Sequence, residues 1–264
     1  MGQLLVITQE MDRRADNHFD RCEHNSWTSE MQNAFLNPSF SFGLAIAFAC
    51  ATAVAHAGGT ENTLKFGYGH IGFNTTSGDL TGPAGTTPAG IQADLKDTST
   101  LALIYERNLS DRWSIVLQAG TPPVVKIVGA GNGAALGEVG TARAWFPAVM
   151  AQYTFDGPWG TQPYVGAGLN YTFYTDEQVR SAYTDAFGGS SSTAKLKSSW
   201  GHVLKIGIGF PLGRNWVIDA SYSRYGISTT ATVTTATPGV GEIVRTVDVR
   251  ADPDVVGLTL GYSF

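Results

Sequence analysis

Cysteine is nearly absent from this chain of 264 residues, which holds two, Cys22 and Cys50. Both lie ahead of Ala55, His56 and Ala57, a small-x-small cleavage pattern, so no thiol follows Ala57. Disulfides, thiol catalysis and cysteine metal sites are thereby excluded beyond that point. Charge is also scarce, at 15% of residues with a net charge of -5, and that balance gives no basic footprint for nucleic acid. No internal run of about twenty apolar residues exists to make a spanning helix. Any crossing of a membrane must therefore be made by a closed barrel. Only His70 and His202 follow Ala57, neither with a partner at metal-ligand spacing, so no metal and no other cofactor is expected.

Phe40 to Val54 is a short apolar block that leads into Ala55, His56 and Ala57. Residues 1–57 read as a secretory signal peptide with an atypical N-terminal extension, cleaved after Ala57. Met31 is the preferred start, although no Lys or Arg stands between it and the block. Lipidation at Cys50 is a rival reading, but Ala47, Phe48 and Ala49 fit that motif badly.

What is plentiful is glycine, 32 residues, and aromatics, 11%. They fall into an alternating pattern, clearest from Pro163 to Tyr174. There Val165, Ala167, Leu169, Tyr171 and Phe173 share one face, and Gly166, Gly168, Asn170 and Thr172 the other. A period of two marks a strand. Similar runs occur at Leu64 to Asn74, Lys96 to Arg107, Trp113 to Gly120, Phe146 to Asp156, Leu196 to Phe210, from Trp216 onward, and at Val255 to Phe264. No helix long enough to cover such a sheet lies between them, so the apolar faces turn to lipid. The expected fold is all-β, an eight-stranded antiparallel transmembrane β-barrel over residues 58–264. Short turns at Asn108 to Arg112, Gly157 to Gln162 and Pro211 to Asn215 belong on the periplasmic side.

Between the strands, Thr75 to Asp94 reads as an exposed, mobile loop, and a Gly- and Ala-rich loop runs from Thr121 to Trp145. Within it, the glycine run Gly129 to Gly133 lacks the strand and helix that a dinucleotide loop needs. Thr175 to Ser192 is a polar loop with room for a short helix. Ser228 to Val249 reads as a hairpin projecting past the bilayer, because its threonines and Arg245, Asp248 and Arg250 would be costly in lipid.

Four stretches carry a family resemblance: FPAVMAQYTF (Phe146 to Phe155), QPYVGAGLNYTFY (Gln162 to Tyr174), LKSSWGHVLKIGIGF leading into LGRNWVIDASYSRYGISTTA (Leu196 to Ala231), and VRADPDVVGLTLGYSF (Val249 to Phe264). In order and spacing the chain resembles the OmpW family of outer-membrane proteins, which includes the AlkL alkane-uptake proteins. The resemblance implies a Gram-negative outer-membrane barrel with an unusually apolar interior, passage of small hydrophobic molecules and lateral escape through the barrel wall. It also implies a terminal aromatic, here Phe264, recognised by the outer-membrane assembly machinery. Gln118 and Ser223 depart from an apolar lumen, so no gate residue is carried over.

Lys65, Glu106, Lys205 and Asp219 fall on inward faces, where an unpaired charge is expensive. They are read as a polar plug of the periplasmic half, with a proton or substrate relay as the other reading. Thr100, Val116, Gln118, Met150, Asn170 and Val203 are the inward residues expected to line a ligand path, or else to fill the lumen. The function expected is passive uptake of small hydrophobic molecules, not catalysis. The rivals are a structural or adhesion barrel, and a lipid-modifying enzyme, for which His70 and His202 show no serine and acid neighbours in sequence.

Overall fold

The computed structural model describes residues 62 to 264, and the leader expected at 1–57 lies outside them. In chain order the elements are β1 (Asn62–Gly72), β2 (Thr76–Ser77), β3 (Ile91–Lys96), β4 (Thr98–Asn108), β5 (Trp113–Gly120), β6 (Val124–Gly131), β7 (Glu138–Trp145), β8 (Ala148–Thr154) and β9 (Gln162–Val179). There follow a single-turn helix α1 (Ser181–Ala186), β10 (Ser191–Leu196), β11 (Ser199–Leu212), β12 (Trp216–Tyr225), β13 (Ser228–Thr237), β14 (Gly241–Arg250) and β15 (Asp254–Ser263).

Eight of these strands close a ring. β1 pairs with β4, then come β5, β8 and β9, and β11, β12 and β15 return to β1, every pairing antiparallel. The closing seam runs from Ser199 opposite Thr172 to Gly209 opposite Gln162. Closure leaves the ring without a free edge, the condition for strands to survive in hydrocarbon. The last residue joins it too: Phe264 and Asn62 exchange backbone hydrogen bonds of 2.9 and 3.0 Å.

Period two sorts the side chains as the sequence implies. Leu64, Phe66, Leu103, Leu169, Leu204, Ile206, Leu258 and Leu260 are exposed on the outside. Aromatic rings bound this band at both ends. Near the short turns, Trp113 meets Tyr153 edge-on at 5.1 Å and Trp216 meets Tyr262 at 5.0 Å. Toward the loops, Tyr171 lies 4.9 Å from Trp200 and Trp145 stacks on Phe173. Such girdles sit at the headgroup level of a bilayer. In the turn between β11 and β12, Gly213 takes φ 75, a value that suits a residue without Cβ.

The structure departs from the sequence expectation above the ring, where three segments read as loops contribute strands and one of them is largely strand. Val124 to Trp145 forms the β6–β7 hairpin, and β7 pairs with the upper part of β9, which runs on past Tyr174 to Val179. The segment expected to be a mobile loop, Thr75 to Asp94, is folded onto its neighbours. β3 adds to the edge of β6, and Thr81 bridges Thr246. Leu80 in that segment is buried. The polar segment after Tyr174 supplies α1 and β10 as well as the end of β9. The reason lies in side chains such as Val125, Ile127, Ile91 and Val179, which have apolar partners to bury against once the strands rise beyond the bilayer. The expected hairpin Ser228 to Val249 is present as β13 and β14, flanked by β10 and β2 in a separate four-stranded sheet.

Candidate functional site

The lumen is layered. At the short-turn end a polar hollow lined by Asn108, Ser110, Arg214 and Asn215 leads up to Lys65 and Glu106. Period two on β1, β4 and β12 turns Lys65, Glu106 and Asp219 inward, and the ring order β12, β15, β1, β4 brings them together inside the lumen. Lys65 Nζ lies 2.9 Å from Glu106 Oε2 and 3.3 Å from Asp219 Oδ2, all three side chains buried. Glu106 also accepts hydrogen bonds from Ser114 Oγ and Gln152 Nε2, each 2.8 Å, and the Tyr164 hydroxyl donates to Asp219 at 3.1 Å. Tyr164 fits because residue 207 is glycine: a Cβ there would lie 2.4 Å from its ring.

The fourth inward charge, Lys205, is buried and donates to Gln118 Oε1 at 3.1 Å, while Gln118 Nε2 donates to the Tyr225 hydroxyl at 2.8 Å. One lysine faces two carboxylates, whose oxygens also accept from Ser114, Gln152 and Tyr164, and the second lysine is buried nearby on Gln118. That is the condition for charges to be kept in a narrow, dry lumen. Lys65, Glu106 and Asp219 meet in one ion-paired cluster, while Lys205 bonds Gln118, the link to the layer above.

That upper layer is apolar. Ile71, Ile104, Val116, Met150, Val203 and Tyr225 are buried against one another, with Phe146 edge-on to Tyr225 at 5.5 Å. Above it, between the sheet of β3, β6, β7 and upper β9 and the sheet of β10, β13 and β14, lies an apolar cavity of about 130 Å³. Phe73, Leu80, Ile127, Tyr183, Val233 and Val249 are among the residues that wall it. For scale, a dry apolar cavity of about 150 Å³ takes a benzene-sized guest.

The six residues expected along a ligand path are placed elsewhere. Val116, Met150 and Val203 form the floor beneath the cavity, and Gln118 bonds Lys205 and Tyr225 below them. Asn170 is fully buried at the closing seam, where its amide nitrogen donates to the carbonyls of Gly201 and His202 at 3.2 Å and its oxygen accepts from Thr172. Thr100 donates to the carbonyl of Thr121 at the barrel rim. None of the six is on the cavity wall. Many of the wall residues sit in segments whose sequence reads as loop, and the alternation of Val125 and Ile127 around Lys126 is the sequence signal for part of the wall.

Beside the cavity the barrel wall has an interrupted ladder. Pairing of β5 with β8 ends at Gln118 opposite Ala148, and pairing of β6 with β7 begins at Val124 opposite Arg143. Between them stand Pro122 and Pro123 on one side and Pro147 on the other, none with an N–H to give, and one backbone bond, from Ala144 N–H to the Pro123 carbonyl at 3.1 Å, crosses the interval. Phe146, at this gap, also lines the cavity. His70 and His202 both face outward and are exposed, away from the lumen and the cavity.

A closed antiparallel ring with an apolar outer band, two aromatic girdles and a plugged lumen defines a transmembrane β-barrel of the bacterial outer membrane. The OmpW family model matches residues 61–264, and the chain belongs to that family. Outer membrane protein W of Vibrio cholerae is 33% identical over 172 residues, covering 64% of this chain and 76% of that one. PahQ of Pseudomonas aeruginosa, described as a dibenzothiophene metabolism operon protein, is 25% identical over 183 residues, 66% of this chain and 76% of that one. Among solved structures, OprG from Pseudomonas aeruginosa superposes with a TM-score of 0.67 at 26% identity, covering 77% of this chain and 95% of that one. Residence in the outer membrane of a Gram-negative bacterium and contact with its lipid follow.

Proposed function

We propose that this barrel is a channel for passive uptake of small hydrophobic molecules, which enter the apolar cavity from outside and leave sideways into the membrane. The observation that carries the reading is the stacking of an apolar cavity on a lumen filled first by apolar side chains and then by the Lys65 cluster. An apolar guest gains roughly 25 cal/mol for each Å² it removes from water, so the cavity collects such molecules. Below it the guest meets buried charges whose partners it cannot replace. The proline-interrupted gap at Phe146, next to the cavity, is the exit that avoids them. The operon description of PahQ, a relative linked by name to an apolar polycyclic compound, agrees with cargo of this kind.

Cells making the protein are expected to take up octane faster than cells without it. Ala93→Phe combined with Ala231→Phe, which puts a ring into the cavity from each sheet, is expected to abolish the gain. Equal uptake with and without folded protein in the outer membrane overturns the reading.

A further inference from the structure

Above β11 and β12 the outer surface carries two adjoining polar hollows of about 450 and 280 Å³, which share Ser228 and Arg250. Trp200, His202 and Arg224 wall the lower one, and Lys197, Ser199 and Thr230 the upper. Residue 226 is glycine there, and a Cβ on it would come 2.5 Å from the His202 ring. Register sets the height of the hollows. Arg224 stands opposite Leu204 and Tyr222 opposite Ile206, and Leu204, Ile206 and Tyr222 belong to the exposed apolar band. Trp200, against Tyr171, belongs to the aromatic girdle toward the loops. The hollows thus open where the headgroups of the outer leaflet begin.

The cations of this face are held loosely. Arg224 Nη1 lies 3.9 Å from Asp254 and Arg250 Nε 3.8 Å from Asp252, both beyond hydrogen-bond length. Lys197 has no ion pair among the described residues. The nearby carboxylates are engaged by neutral donors. Asp254 accepts from the Tyr222 hydroxyl at 2.7 Å and Asn74 Nδ2 at 2.8 Å, Asp248 from Thr230 at 2.6 Å, and Asp252 from the Ile227 N–H at 3.3 Å. Elsewhere on the rim arginines pair directly, Arg143 with Asp176 at 2.8 Å and Arg180 with Glu138 at 2.7 Å. In the upper hollow the Ser199 hydroxyl is buried without a hydrogen-bond partner. Among the described residues this face is therefore short of acceptors for its cations and for that hydroxyl.

We propose that the groove binds a phosphorylated glycolipid of the outer leaflet, its phosphate among Arg250, Lys197 and Arg224 and its acyl chains on Leu204, Ile206 and Tyr222. A phosphate supplies the missing acceptors, and its hydrogen bonds to arginine and lysine are the strong, charge-assisted kind. The extent of the groove calls for a sugar rather than a bare phosphodiester. It runs from Trp200 past headgroup level to Thr230, along a wall that includes Ser198, Ser199 and Ser228. Sugar hydroxyls accept from those serines and donate to Asp248 and Asp252, so the two carboxylates bordering the groove do not repel such a headgroup. The acyl chains continue the lipid contact that the apolar band already makes.

The test is native mass spectrometry of the folded barrel in detergent, incubated with equal amounts of diphosphoryl lipid A, the same lipid stripped of phosphate, and phosphatidylglycerol. The diphosphoryl form is expected to be retained roughly tenfold more than either competitor, the scale of one charged hydrogen bond. Arg250→Gln combined with Lys197→Gln is expected to remove that roughly tenfold preference. Arg143→Gln combined with Arg180→Gln, where the rim is tightly paired, is expected to leave retention within about twofold. Equal retention of phosphatidylglycerol overturns the glycolipid assignment. Equal retention of the phosphate-free form, an equal loss in both double variants, or no retention of lipid A overturns the site.

Discussion

The Lys65 ammonium sits 2.9 Å from the Glu106 carboxylate of the neighbouring strand, and both side chains are buried inside the barrel. Removing the cation leaves Glu106 and Asp219 as buried anions in the same layer. Lys65→Met is therefore expected to cost about 3–5 kcal/mol, the range for breaking a buried pair by deleting one partner. Urea unfolding of the barrel in lipid vesicles measures it. A loss under 1 kcal/mol would mean that water, not Lys65, balances those carboxylates.

Gln118 joins the charged layer to the apolar one through Lys205 and Tyr225. Gln118→Leu leaves the Lys205 ammonium without its acceptor and is expected to destabilise by about 1–3 kcal/mol. Met150→Ala, in the floor of the cavity, is expected to cost about 2–5 kcal/mol through the space it opens. Uptake by the folded fraction is the check on their role. Both are expected to leave it within about twofold of normal, whereas cavity-filling changes abolish it.

The ring and its facing rule were legible because lipid outside and a narrow lumen inside impose period two on every spanning strand. The inward charges were legible as a group for the same reason, but not their partners, since Lys65 and Asp219 are 154 positions apart and only the ring's register brings them together. The cavity was not legible. Its strands β3, β6 and β7 are short, glycine-rich or preceded by proline, and they gain their stability from facing sheets rather than from lipid. Arg245 shows the limit most clearly. Its charge places the hairpin outside the bilayer, yet only the structure shows the side chain turned inward and buried, while Asp248 and Arg250 on the other face are exposed.

Phe264 offers a test that separates assembly from stability. Its backbone closes β1 through Asn62, but its side chain is 62% exposed on the outer face. Phe264→Ser keeps the backbone bonds and removes one lipid-facing ring, so refolding of purified protein into vesicles is expected to lose no more than about 1–2 kcal/mol. Accumulation of folded barrel in cells is expected to fall severalfold if the terminal aromatic is read by the assembly machinery. Parallel losses in both assays would assign the residue a stabilising role instead.

The most direct measurement is octane uptake by cells whose barrel carries Pro122→Val, Pro123→Val and Pro147→Val. Those changes return N–H donors to the strands that flank the gap between Gln118 opposite Ala148 and Val124 opposite Arg143, crossed by the bond from Ala144 N–H to the Pro123 carbonyl, so that the ladder can extend. With equal amounts of folded protein in the outer membrane, sideways exit requires uptake to fall severalfold while octane still binds the cavity. Uptake at the unaltered rate would contradict it and send the cargo by another path.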